Sequence, residues 1–279
     1  MNEPWAVFLI SSIAWQGMAH RDAIAQVRAA GFSGVEILCK PGHFEYDNRA
    51  HVEEVEAVLD EWPEAIVTFH SPFYDVDPAS PDPDARERAV QELMQALRVA
   101  SLLRAEVMTV HARSRAEAYH WDADNLMTVQ ASLEELMRPA DELGIRLAVE
   151  NGYPPCLIAR LLTLFPALGA CLDTGHAHLA GQAVELMRQL AARAFVVHLH
   201  DNAARDLKDE HLVPGQGTIP WKELTEALRA GCFGGRLVME VLMVETLGKT
   251  LEMVKHAIEE TGLYELTRGE EKSKCLSQS

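Results

Sequence analysis

The chain has 279 residues, 48% hydrophobic and 24% charged, which is ample length and an ordinary composition for a soluble globular protein with one large core. Its 25 Lys and Arg against 42 Asp and Glu leave a net charge of −17, which repels phosphate backbones and disfavours a nucleic-acid partner. No apolar run approaches the ~20 residues of a membrane span. Met1–Ile10 lacks a signal-peptide pattern, and the five cysteines are scattered with no CxxC pair, so a reduced, cytoplasmic setting is expected.

Taken in chain order, short β-rich runs alternate with amphipathic stretches from end to end. Strands are predicted at Ala6–Ser11, Gly34–Leu38 and Ala65–His70, followed by a helical pattern over Arg86–Leu103. A strand at Val107–His111 precedes a helix over Leu126–Leu143, and strands at Arg146–Glu150 and Gly169–Asp173 precede one over Ala183–Ala192. Strands at Phe195–His200 and Arg236–Val241 are followed by helices over Leu224–Ala230 and Leu251–Glu260. Most of these strands read as continuous Val, Ile, Leu and Ala, the pattern of strands buried on both faces. Eight such alternations close into a single-domain (β/α)₈ TIM barrel of class α/β over residues 1–266, with 267–279 a polar, aperiodic and flexible tail. The rival, an open doubly wound sheet, lacks support, because no GxGxxG follows the first strand and no P-loop occurs.

Six predicted strands carry a metal-capable residue at or near the C-terminal end, where barrel enzymes build their sites: His70, His111, Glu150, Asp173, His200 and Glu240. A lone His at a strand end is ordinarily structural, but a Glu ending a buried apolar run, as in LAVE (147–150) and LVME (237–240), is costly unless compensated. Three carboxylates at one mouth repel one another unless a cation lies between them. The only basic residues nearby for a salt-bridge network are Arg113 and Arg205, so a metal is the better account. His20, His43, His51, His120, His178 and His256 read as surface or loop residues.

The segments AVENG (148–152), CLDTGHAHLAG (171–181), VVHLHDN (196–202), DEHLVPGQGTIPW (209–221) and LVMEV (237–241) together resemble the xylose-isomerase-like barrels. That superfamily comprises sugar and sugar-phosphate isomerases and epimerases and, in a related branch, endonuclease IV. The isomerase and epimerase resemblance implies one metal held by Glu150, Asp173, His200 and Glu240. His198, two residues away on the same strand face, is the alternative for the imidazole. It further implies substrate contacts from His176 and His211. The endonuclease IV branch implies extra zinc ligands at His70, His111, His176, Asp209 and His211, and every one of those residue types is present.

The acidic, proline-rich loop PFYDVDPASPDPDA (72–85) suits a phosphate backbone poorly, and no arginine–aromatic cluster for opening a duplex is present. The resemblance therefore implies a divalent-metal-dependent isomerase or epimerase acting on a sugar, a sugar phosphate or a similar hydroxycarbonyl compound by proton transfer next to the carbonyl, with Glu150 and Glu240 as the acid/base pair. A zinc phosphodiesterase of the endonuclease IV kind and a metal-dependent lyase or dehydratase are the alternatives. The donor set accepts Mn²⁺, Zn²⁺, Co²⁺ or Mg²⁺, one to three ions per chain, with zinc favoured if the outer histidines bind. Trp15 is expected as an apolar wall for the sugar. Related proteins imply a homo-oligomer.

Overall fold

The computed structural model describes residues 7–114, 123–152 and 156–267. Ala6, His120 and all of the expected tail except Thr267 lie outside these. Eight strands, β1 (Phe8–Ser11), β2 (Gly34–Leu38), β3 (Ile66–His70), β4 (Val107–Val110), β5 (Arg146–Glu150), β6 (Gly169–Asp173), β7 (Ala194–Leu199) and β8 (Arg236–Met239), run parallel in sequence order. The sheet closes where β1 pairs β8, with Ile10 opposite Met239. This is the expected TIM barrel in a single domain.

Helices α1 (His20–Ala29), α2 (Arg49–Asp60), α3 (Pro83–Leu102), α4 (Ala123–Glu142), α5 (Cys156–Leu164), α6 (Thr174–Leu179), α7 (Ala183–Leu190), α8 (Trp221–Ala230) and α9 (Leu247–Glu260) connect the strands. The start of α3 follows from its sequence: Asp82 accepts from the Asp84 and Ala85 backbone N–H groups, and Pro83 fills the first turn, where no partner for its missing N–H is needed. Asn48 and Thr246 cap α2 and α9 in the same way. Each of the five predicted helices lies within four residues of its observed ends. Among the described residues no helix is long and apolar enough to cross a membrane.

The interior is graded along the barrel axis. Residues two apart on a strand share a face, so Val196, His198 and His200 all point inward, as do Cys171 with Asp173, Ala148 with Glu150, and Val238 with Glu240. At the lower end Leu9, Val107, Ala148, Cys171, Val196 and Val238 form an apolar plug. One layer up, Glu36 accepts from the Thr68 hydroxyl at 3.1 Å and meets His198 Nε2 at 3.1 Å, with all three groups fully buried. The carboxylates and imidazoles of the mouth rest on this polar floor. The larger apolar cluster lies between the strands and the helices.

Candidate metal centre

Glu150, at the end of β5, gathers three imidazoles. Its Oε2 lies 3.2 Å from His70 Nε2 and 3.1 Å from His111 Nε2, and its Oε1 lies 3.0 Å from His176 Nδ1. His70 Nδ1 donates to the Ser71 carbonyl at 2.9 Å, which fixes the tautomer and turns Nε2 toward the centre. The Nε2 atoms of His70 and His111 lie 3.3 Å apart, and Phe73 stacks on the His111 ring at 4.6 Å.

Asp173, Glu240 and Glu150 converge on His198. The Nδ1 atom of His198 is 3.1 Å from Glu240 Oε2, 3.7 Å from Glu150 Oε2 and 3.8 Å from Asp173 Oδ2. It is buried and makes no aligned hydrogen bond, while its other nitrogen is occupied by Glu36. His200 faces a different direction. Its Nε2 meets Asp173 alone of the three carboxylates, at 2.9 and 3.0 Å, and its Nδ1 looks toward Asp209 at 3.8 Å. A side chain at Gly175 would run into the His200 ring, since a Cβ there would lie 2.0 Å from Cε1, so only glycine lets α6 begin this close to β7.

A third group forms beyond β7. His211 Nε2 lies 3.0 Å from Asp209 Oδ2, and His176 Nε2 lies 3.3 Å from the same oxygen. The His211 ring stacks on His200 at 4.0 Å, and its Nδ1 donates to the Glu240 carbonyl at 2.8 Å. His211 holds a left-handed backbone with φ 48°, a conformation costly for a non-glycine residue and characteristic of functional loops. The loop is anchored by fully buried Asp201, which accepts from the Gly215 and Ile219 backbone N–H groups and from the Trp221 indole N–H.

Among the described residues, every ion pair of Glu150, Asp173, Asp209 and Glu240 is with a histidine. Arg113, considered from the sequence as a counter-charge, instead pairs with Asp77 at 3.0 Å, and Arg205 is exposed. Burial alone pushes Glu150 up, but His111, His176 and His70 outweigh it and hold the carboxyl well below the usual range. Burial likewise opposes ionisation of Glu240, and His198 reverses it. Burial lowers His211, yet Asp209 and the Glu240 charge raise it to about 9. His70, His176, His198 and His211 are all raised by neighbouring acidic groups against their burial, whereas burial keeps His111 low, so protons on the first four balance the buried acids and a divalent cation could replace those protons directly. The donors fit such an ion. His70/His111/Glu150, Glu150/Asp173/His176 and His200/Asp209/His211 each bring three potential ligand atoms within 4.8 Å of one another, and buried Asp209 Oδ1 and His200 Nδ1 have no hydrogen-bond partner.

The family described as xylose isomerase-like TIM barrel matches residues 24–261. The chain belongs to that family. Among relatives of this xylose isomerase-like barrel, an uncharacterized protein, MJ1311, of Methanocaldococcus jannaschii is 27% identical over 266 residues, covering 90% of this chain and 89% of that protein. The D-psicose 3-epimerase of Ruminiclostridium cellulolyticum is 26% identical over 251 residues, covering 82% and 81%. A solved D-tagatose 3-epimerase-like protein superposes with a TM-score of 0.77 at 26% identity, covering 92% of this chain and 98% of that one. The zinc-bound IOLI protein shares the fold, with a TM-score of 0.76 at 16% identity over 92% and 98%.

Within this xylose isomerase-like barrel, all ten polar residues named from the sequence lie at the mouth or just below it. Trp15 does not. It is fully buried away from the cavity, and its indole N–H donates to His20 Nδ1 at 3.1 Å. The expectation of a Trp15 wall is therefore corrected: Ile13, Leu38, Phe73 and Leu242 form the apolar side of a cavity of about 510 Å³. His20 and His43 are corrected too, being 3% and 8% exposed rather than on the surface. Glu36 went unnamed although GVEIL (34–38) carries a signal, a charged residue inside an otherwise apolar strand. Lys40, Gln16 and Tyr74 also line the cavity, and ordinary loop composition gave no sign of it.

Proposed function

We propose that this protein is a divalent-metal-dependent sugar isomerase or epimerase that works by proton transfer next to a carbonyl. The observation that carries the reading is the pair Glu150 and Glu240, two carboxylates 3.7 and 3.1 Å from one imidazole nitrogen of His198 that both line a small-molecule-sized cavity. The sugar 3-epimerases among its relatives support the same class. Glu150, Asp173, His198 and Glu240 would hold the ion, with His198 taking the place that sequence resemblance gave to His200. When bound, that ion polarises the substrate carbonyl and acidifies the neighbouring C–H.

The rest of the chemistry belongs to the chain. Glu150 and Glu240 approach the reacting carbon from opposite faces, so one removes the proton and the other supplies one. Delivery to the opposite face of the same carbon inverts it, and delivery to the neighbouring carbon isomerises. His176 and His211 line the cavity with their ring nitrogens held by Glu150, Asp209 and the Glu240 carbonyl, so as imidazolium ions they would stabilise through their charge what develops on the substrate oxygens. The apolar side from Ile13 to Leu242 excludes water from the exchange. The test is incubation with a panel of ketoses in D₂O with Mn²⁺, Co²⁺ or Zn²⁺. Deuterium should enter the substrate beside the carbonyl, and Glu150→Gln should abolish it. Absence of exchange across the panel would remove this reading.

A second reading rests on the two outer groups, His70/His111/Glu150 and His176/Asp209/His211, which are suited to further zinc ions. Zinc held by those residues would supply the chemistry for hydrolysing a phosphodiester, so incision of duplex DNA at an abasic site is its direct assay. We propose that one ion binds tightly in the four-residue set and that the outer groups fill only at high zinc. No incision is then expected.

A further inference from the structure

The ring of strand ends is polarised. Those of β3 to β8, with the loop after β7, deliver every carboxylate and imidazole of the centre described above. The loops after β1 and β2 deliver Gln16 and Lys40 to the same cavity. Lys40 Nζ donates to Gln16 Oε1 at 2.6 Å and, among the described residues, has no carboxylate within ion-pair distance. An ammonium has three N–H groups, so two remain for a guest in the cavity. A neutral sugar needs only neutral donors, whereas an ammonium without a carboxylate partner is met best by an anion.

Lys40 is also held in place. Its N–H donates to the Phe44 carbonyl at 2.9 Å, and its own carbonyl accepts from the His43 N–H at 3.0 Å. Phe44 is fully buried and packs edge-on against His20, whose ring Trp15 fixes by a hydrogen bond. The buried imidazole–indole cluster, which takes no part in the metal centre, is thus the footing of the β2–α2 loop that carries Lys40. On its other side Lys40 borders a second hollow of about 400 Å³ rimmed by Glu45, Asp47, Asp75 and Glu92. The carboxylates of the centre are paired with imidazoles, whereas Asp47 and Asp75 on this rim have no such partner among the described residues, so the group that Lys40 takes comes from the side of the centre.

The geometry points to a substrate with an anionic terminal group, phosphate or carboxylate, which Lys40 and Gln16 bind at the end of the molecule remote from the reacting carbonyl. This assignment rests on the sugar reading above and narrows its substrate class.

Calorimetric titration of the manganese-loaded protein with sorbitol, sorbitol 6-phosphate and gluconate tests it without turnover. One anionic polyol should bind about tenfold or more tighter than sorbitol, and its identity names the group. Lys40→Met should erase that advantage and Lys40→Arg should keep it. Thermal melts matched to the wild type confirm that both variants are folded. An advantage of the same size in Lys40→Met, as would arise from an anion sitting on the metal, overturns the inference. So does equal binding of all three polyols, and in that case the isomerase reading stands. If none of the three binds at millimolar concentration, both fall together.

Discussion

Glu150 is ionised only because three imidazoles surround it, and this makes it the most sensitive residue of the site. Glu150→Gln keeps the shape but removes the charge, so its folding should change little. Metal content by elemental analysis should drop below half of wild type, and turnover should fall by about three orders of magnitude or more, the scale of losing a catalytic acid/base group. The two histidines of HLH offer a sharper comparison. His198→Ala should strip the tightly held ion, whereas His200→Ala should spare most of it, because only His198 reaches all three carboxylates. Equal metal loss in both variants would return the ligand role to His200. The chelated protein also has a predicted pH dependence. His211 is raised to about 9 against an ordinary value of 6.5. Its contribution to stability is complete below about 6.5 and is lost as pH rises through 9. Melting temperature in excess chelator should therefore decline across that window, and the protein in excess zinc, with the outer His211 group filled, should not follow it, since an ion there displaces the proton.

At the scale of elements, the loop from Asp201 to Trp221 depends on one side chain. Asp201→Ala would orphan the buried indole N–H of Trp221 and the backbone N–H groups of Asn202, Gly215 and Ile219, at about 1–3 kcal/mol for each group that water does not reach. A loss of about 3 kcal/mol in urea unfolding is expected, with weaker zinc binding at His211 and Asp209. The barrel itself was legible in the sequence because strands buried on both faces write uninterrupted apolar runs, and a polar residue ending such a run marks the mouth. Parity along a strand was legible too, and it is why His198 and His200 were both candidates. Which of them faces the carboxylates depends on axial depth, and depth is set by the register of β7 against β6 and β8, with His198 opposite Asp173 and Val238. Periodicity in one strand does not contain that information. The burial of Trp15, His20 and His43 was hidden for a related reason. It arises where the turn after β1 and the first residue of α1 meet the loop after β2, a contact between segments far apart in the chain.

At the scale of the whole molecule, a chain carrying −17 concentrates several of its acids around a handful of histidines at one end of a rigid barrel. Metal binding to the folded state alone stabilises by about 4 kcal/mol when free metal is 1,000 times the dissociation constant. For a domain of this size that corresponds to a fall of about 8–16 °C in melting temperature on chelation. A shift of 1 °C or less would mean that no tight site exists. Glu150 gives this stabilisation a further property. One of its oxygens faces His70 and His111 and the other faces His176, while the carboxylate also borders the His198 group. Ions in neighbouring groups would have to share it, so they cannot load as independent traps. A first ion held by Glu150 would leave less negative charge there for a second. A zinc titration should accordingly resolve into separated steps, and the occupancy of the protein would report the free metal level around it in grades rather than as a single threshold.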